Sequence, residues 1–154
     1  MILKLDNKIL AVAKEIHSVF QASYLVEAKL LKAVDFPPLK RTVSQFLNST
    51  TDFYAYYLYA YYLNNNIAGV IEIDNSNGCT HIQSLVVYPK CFRKGVGKKL
   101  VSFVLKTYPS NFFSVETGVD NTPATMLYLG LGFQEKTQWD TTHGIRKIRF
   151  EKKL

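Results

Sequence analysis

Apolar positions Ile9, Val12, Ala13, Ile16, Val19 and Phe20 recur at helical intervals, and Asp6 or Asn7 supplies a side chain of the capping type. A second helical stretch is predicted over Ser23–Val34, until Phe36-Pro37-Pro38-Leu39 breaks it. Val43, Phe46 and Leu47 suggest a short third helix. The pattern then changes. Phe53–Leu63 is aromatic-rich and reads as a strand, Asn64-Asn65-Asn66 as a turn, and Ile67–Ile73 as the return strand of a hairpin. Asn75-Ser76-Asn77-Gly78 makes another turn before a strand over Cys79–Tyr88. A helix follows over Gly95–Tyr108, carried by Val96, Leu100, Val101, Val104 and Leu105 and ended by Pro109. Phe112–Gly118 is a short strand. Asn121-Thr122-Pro123 opens a helix that runs to Leu129 and stops at Gly130. Gly132-Phe133 leads to a strand through Trp139, residues 140–144 form a hairpin loop, and Ile145–Lys152 is the last strand. Helices first, then a mostly β chain with two crossover helices, predict a mixed α/β fold.

At 154 residues the chain is read as one domain, 1–154, with enough length for a single core. Nearly half of it is hydrophobic, which argues against disorder. Its apolar runs are too short for a membrane span, and MILKLDNKIL lacks the apolar core and small-residue cleavage site of a signal peptide. Cys79 and Cys91 in such a chain are expected to be reduced thiols, so a cytoplasmic location is expected. Neither thiol has metal-ligand spacing to His17, His81 or His143, and no metal is expected.

The formal net charge is +7. No Asp or Glu occurs between Asp74 and Glu116, a stretch that holds Lys90, Arg93, Lys94, Lys98, Lys99 and Lys106. Such a field attracts phosphates, either of a nucleic acid or of a multiply phosphorylated small molecule. It is equally the composition of an ordinary solvated basic face. The tyrosines of 53–63 could stack on bases, but that segment has no basic residue to meet the phosphates, which disfavours a nucleic-acid partner.

Within the basic stretch, Arg93-Lys94-Gly95-Val96-Gly97 joins a strand to a helix. Backbone N–H groups at a helix N-terminus lack intrahelical partners, and the dipole there favours an anion. The loop therefore reads either as a phosphate cradle or as a plain turn that needed glycine. It is not a P-loop: Phe92 stands five before Gly97, and Gly97-Lys98 is followed by Lys99. Nor is it a dinucleotide fingerprint, because Leu100 replaces the third glycine.

Two segments together resemble the GNAT superfamily of acyl-CoA-dependent N-acetyltransferases. One is Leu85-Val86-Val87-Tyr88-Pro89 with Phe92-Arg93-Lys94-Gly95-Val96-Gly97, similar to the Gln/Arg-x-x-Gly-x-Gly/Ala cofactor motif. The other is Asn121-Thr122-Pro123-Ala124 with Leu127-Tyr128 and Leu131-Gly132-Phe133, similar to the superfamily's downstream Asn…Ala…Leu-Tyr…Gly-Phe motif. The resemblance covers residues 67–135 well and the first 50 poorly. Phe92 departs from it, standing where the family keeps Gln or Arg.

The resemblance implies a mostly antiparallel central sheet flanked by helices and splayed at the strand ending near Tyr88. Acetyl-CoA would be the co-substrate. The backbone of Leu85, Val86 and Val87 would pair with the pantetheine arm. The amides of Arg93, Lys94, Gly95, Val96, Gly97 and Lys98 would hold the pyrophosphate. Asn121 would touch the cofactor arm or order a water, and Tyr128 would act as general acid to the leaving thiolate. His81 stands four before Leu85, where some branches carry Glu or His, and is a candidate base. Against this, an isolated strand histidine is more often structural. Glu72, Glu116 and water are the other candidates. Tyr24, Glu27 and the Pro-Pro turn could shape a substrate entrance, and Glu27 or Glu72 could attract a cation; such residues also simply close helix pairs.

The expected activity is acetyl transfer in a ternary complex to a primary amine of a small molecule or peptide. The competing classes are a non-catalytic acyl-CoA-binding module and a nucleic-acid-binding module. The tail strand and the aromatic hairpin are candidate surfaces for a homodimer.

Overall fold

A computed structural model describes residues 1–58, 67–76 and 78–154. Its elements are β1 (Ile2–Leu5), α1 (Leu10–Leu30), α2 (Val43–Leu47), β2 (Asp52–Tyr57), β3 (Ile67–Asp74), β4 (Thr80–Val87), α3 (Val96–Thr107), β5 (Phe112–Gly118), α4 (Thr122–Gly130), β6 (Gln134–Asp140) and β7 (Arg146–Lys153). The expected Asn64–Asn66 turn lies outside the described residues, as do the end of the expected aromatic strand and residue 77 of the second turn.

Seven strands form one sheet in the order β1-β2-β3-β4-β5-β7-β6. Every pairing is antiparallel except β4 with β5. That parallel pairing is short: Thr80–Ile82 of β4 meet Phe113–Val115 of β5, and the ladder then stops although both strands continue. The expected splay is therefore present, beginning after Ile82. A bulge on β4 assists it: Glu72 and Ile73 of β3 face Ser84 and Ile82, which leaves Gln83 as the extra residue. A bulge bends its strand and raises the local twist.

The sheet has a core on each face. Under α3 and α4, Leu100, Val101, Val104 and Tyr128 pack with Ile71, Ile73, Ile82, Phe113 and Phe150. Under α1 and α2, Ile16, Phe20 and Phe46 pack with Phe53, Val70 and Val86. β3 is buried along nearly its whole length because both cores cover it. Gly69 on β3 is required by this packing, since a Cβ there would lie 2.8 Å from the Val86 carbonyl oxygen and 2.9 Å from Val96 Cγ1.

The first two expected helices are one. No Gly or Pro interrupts residues 10–30, and the helical spacing of Phe20 and Tyr24 carries the apolar face across the expected break. α1 ends at Leu30 instead of Val34, with Lys32 in the left-handed region (φ 53°) and its neighbour Ala33 N–H bonded to Ala28 C=O at 2.9 Å. This is a Schellman-type end. Neither Asp6 nor Asn7 caps α1, whose N-cap is Ile9 without a side-chain bond. Asn7 instead donates to Phe46 C=O at 2.7 Å and Ser49 C=O at 3.0 Å, fastening α2 to the start of α1. β1, a short edge strand, was not expected from the sequence.

Candidate active site

The gap between β4 and β5 opens into a cleft of about 1140 Å³. α1, the 36–45 segment, β4, the loop before α3, β5, α4 and the β6–β7 hairpin all contribute to its wall.

At one end stands the loop before α3. Arg93 has φ 62° and Gly95 φ 76°, so two of three consecutive residues are left-handed. Such a path turns successive N–H groups toward a common side, a form suited to anions. Glycine accommodates this at no steric cost, whereas Arg93 adopts it against its Cβ. The earliest hydrogen bond closing α3 runs from Lys99 N–H to Gly95 C=O at 3.0 Å. The N–H groups of Val96, Gly97 and Lys98 precede it and have no carbonyl partner among the described residues. Arg93, Lys94 and Lys98 are exposed around them. Phe92 projects an exposed ring from the position where a polar side chain was expected.

Along β4, Leu85 and Val87 face the cleft, while the Val86 side chain is buried under α1, leaving only its backbone for any ligand. Val87 N–H crosses to Ser23 Oγ of α1 at 3.3 Å, a long bond. This donor belongs to the part of β4 that has lost its parallel neighbour.

Tyr128 of α4 is 2 % exposed and lines the cleft. Phe133 and Phe150 hold its ring, edge-on at 5.4 Å and tilted at 6.0 Å. Its hydroxyl makes no hydrogen bond among the described residues. Burial pushes its phenol pKa well above the usual tyrosine range, and the charges of Tyr24 and Glu27 add to the shift. Burial likewise raises Tyr24, with Glu27 adding to the shift and Ser84 opposing it, and its ring meets Phe20 and Phe36 edge-on.

Asn121 is the N-cap of α4: its Oδ1 accepts from Ala124 N–H at 3.3 Å. Its Nδ2 donates to Glu27 Oε1. Burial raises the Glu27 pKa, with Asn121 and Lys147 opposing the shift. The structure thus brings together Tyr24, Glu27, Asn121, Tyr128, the Leu85–Val87 backbone and the Arg93–Lys98 loop.

Two expected site residues are not brought in. Glu72 is buried on the α1 face of β3, where Arg41 grips it with two bonds of 2.6 and 2.8 Å and Thr51 Oγ1 donates at 2.6 Å. With its oxygens occupied, it has no capacity for a substrate cation. His81 lies where β4 and β5 are still paired, its Nδ1 2.7 Å from Ser114 Oγ, and it is not part of the cleft wall. Burial lowers its pKa, partly offset by Glu116. Its pairing with a buried serine is structural in character. Glu116 does line the cleft but is paired with Arg149 at 3.0 Å.

Sequence reasoning missed Ser23, Arg41, Ser84, His143 and Lys147, all on the cleft wall. No local motif marks them. The Pro-Pro turn before Arg41 and the hairpin carrying His143 were the only local signals. Among the described residues no three His, Cys, Asp or Glu side chains could hold a metal, and no helix is long and apolar enough to cross a membrane.

The description "acetyltransferase (GNAT) domain" matches residues 36–154. The chain is 31% identical over 146 residues to UPF0157 protein YqkA of Bacillus subtilis, covering 94% of this chain and 41% of that protein. The chain thus spans about two fifths of the length of this curated relative. Among solved structures it resembles the ribosomal-protein-S18-alanine N-acetyltransferase of Escherichia coli, with TM-score 0.72 and 19% identity over 100% of this chain and 93% of that one. It also resembles the PaiA N-acetyltransferase of Thermoplasma acidophilum in complex with coenzyme A, with TM-score 0.76 and 16% identity over 100% of this chain and 98% of that one. The family match spans most of the chain, from the Pro-Pro turn through the last strand, and the chain belongs to the acetyltransferase (GNAT) domain family, a family of acyl-transferring enzymes.

Proposed function

We propose that the cleft moves an acetyl group from acetyl-CoA to a primary amine of a small molecule or peptide, with both substrates bound together. The observation that carries this is the joint placement of three features in one cleft. They are a strand freed of its neighbour, a basic loop whose first helical amides have no carbonyl partner among the described residues, and a largely buried tyrosine on the cleft wall whose hydroxyl makes no hydrogen bond among the described residues. The coenzyme A bound to the PaiA neighbour supports the choice of cofactor.

Each part has a defined task. The amides of Arg93 to Lys98 receive the pyrophosphate, and Arg93, Lys94 and Lys98 add charge around it. The backbone of Leu85, Val86 and Val87 takes the pantetheine arm as β5 would have been taken. Val87 N–H polarises the thioester carbonyl, exchanging its weak Ser23 acceptor for the oxygen that becomes negative during attack. Tyr128 donates its proton as the thiolate leaves. A phenol held above its usual pKa stays protonated throughout the physiological range, which keeps that proton available.

The test is a panel of primary amines and amine-terminal peptides with acetyl-CoA, following release of free thiol. Acylation of at least one amine is expected. A lack of any calorimetric response to acetyl-CoA sinks the reading. Tight acetyl-CoA binding without thiol release for any amine assigns the chain to the non-catalytic binders instead.

A further inference from the structure

Two carboxylates line the cleft, Glu27 and Glu116. Glu116 is neutralised by Arg149. Among the described residues Glu27 forms no ion pair, and its one hydrogen bond comes from Asn121 Nδ2. The orientation of that amide is settled by the cap, because Oδ1 must face Ala124 N–H, which turns the NH₂ toward α1. One neutral donor on Oε1 leaves Oε2 and further lone pairs for a ligand. Glu27 is thus a held but unneutralised carboxylate, beside Tyr24 and Tyr128 on the wall of the splayed strands. The aromatic wall formed by Tyr24 and Phe36, whose rings meet edge-on at 5.7 Å, continues from it.

We infer that Glu27 binds the ammonium group of the acceptor and takes its proton, that Asn121 positions Glu27 for this, and that the acceptor carries its amine on an apolar or aromatic body. The inference rests on the acetyl-transfer reading above and names the base and the acceptor class for it. The ammonium gives one proton to the Glu27 carboxylate. The neutral nitrogen attacks the thioester carbon, the C–N bond forms, and the C–S bond breaks. The thiolate leaves with the Tyr128 proton, and the tyrosinate recovers a proton from the new amide nitrogen. The proton on Glu27 returns to solvent after product leaves.

The groups facing Glu27 are Tyr24 on its own helix, Asn121 and Tyr128 from the α4 side, and Lys147 from β7. The net shift is upward, with burial as its main cause, so the carboxylate is a stronger proton acceptor than one in water.

The experiment compares wild type, Glu27→Gln and Asn121→Ser on benzylamine, which is ionised at neutral pH, and phenylhydrazine, which is already neutral there. Glu27→Gln should lower kcat/KM for benzylamine by about 100-fold, leave phenylhydrazine within about threefold, and remove the acidic limb of the benzylamine pH profile. Asn121→Ser keeps an oxygen for the α4 cap but loses the donor to Glu27, so the acidic limb should move to higher pH. An unchanged benzylamine rate in Glu27→Gln, an equal loss on both nucleophiles, or an acidic limb that does not move in Asn121→Ser would overturn the inference. Wild-type protein that binds acetyl-CoA but acetylates neither compound also overturns it. Wild-type protein that does not bind acetyl-CoA removes the transfer reading itself.

Discussion

At the scale of single residues, the decisive contrast is between polar groups that are satisfied and those that are not. Tyr128 has a buried ring whose hydroxyl makes no hydrogen bond among the described residues and lines the cleft, whereas His81 is held through Nδ1 by Ser114 and both Glu72 oxygens are bonded. Tyr128→Phe therefore removes a proton donor without breaking a native hydrogen bond. Turnover is expected to fall by about 100-fold, with acetyl-CoA affinity and melting temperature nearly unchanged, as steady-state kinetics and thermal melts would show. An unchanged turnover takes Tyr128 out of the mechanism. Glu27 makes a second prediction, on stability. Its carboxyl pKa is raised in the folded chain, so the folded state retains a proton that the unfolded chain has already released. Stability then falls as pH rises from the unfolded value through the folded one. Glu27→Gln should accordingly gain in melting temperature relative to wild type as pH rises above the ordinary carboxylate range, and the difference should vanish in acid below it. A mutant that melts lower at neutral pH would show that Glu27 is bound by more than Asn121.

At the scale of elements, the segment between α1 and β2 owes its position to one buried pair. Arg41 stacks 4.1 Å over the Phe46 ring and holds Glu72, which is 1 % exposed. Removing only the arginine leaves a carboxylate in the core with a single hydroxyl donor, Thr51. Arg41→Met should cost about 3 kcal/mol in denaturant unfolding, and Glu72→Met in the same chain should recover much of it. Additive losses would show that the two side chains act separately. The segment also carries Phe36 and Gln45 on the cleft wall, so the single mutant should bind the acceptor more weakly. This pair was invisible in the sequence because its members are 31 positions apart and neither belongs to a pattern. What could be read was local. Asn121 and Pro123 opened α4 where expected, Gly95 stood at a left-handed turn, and α3 followed from its apolar spacing. The misreadings were tertiary in origin. Asn7 has the composition of a cap but serves carbonyls about 40 residues away, and β1 is a strand only because β2 is there to pair with it. Arg93 could not be anticipated in a left-handed conformation, since only the finished loop demands it. The candidate site divided the same way: its motif residues were legible, while Ser23, Arg41 and Lys147 depended on the fold.

At the scale of the whole molecule, the net charge of +7 is gathered partly on the acid-free stretch that includes the loop before α3. A basic field and a set of oriented amides both attract phosphate, but they answer to salt differently. Exposed charges act through solvent, over a Debye length of about 10 Å at 0.1 M salt and about 3 Å at 1 M. Amides at a helix N-terminus act in direct contact, where screening ions do not intervene. Lys98→Gln should therefore weaken acetyl-CoA binding by only about threefold at low salt and by almost nothing at high salt. Gly95→Val acts on the other contribution: Gly95 sits at φ 76°, where a β-branched residue is strongly disfavoured, so the amides lose their common direction. Its loss of affinity should exceed that of Lys98→Gln by at least about tenfold, a difference of about 1.4 kcal/mol, and should persist at high salt. Isothermal calorimetry at the two salt concentrations separates the cases. If Lys98→Gln proves the more damaging and its effect disappears with salt, the loop is a charged surface and not an amide cradle. The nucleic-acid alternative would then regain its footing, since a salt-sensitive basic face is what it requires. If the glycine mutation dominates at both salt concentrations, binding is set by backbone geometry, and Phe92 is tolerated at its position because the side chain there was never the principal phosphate contact.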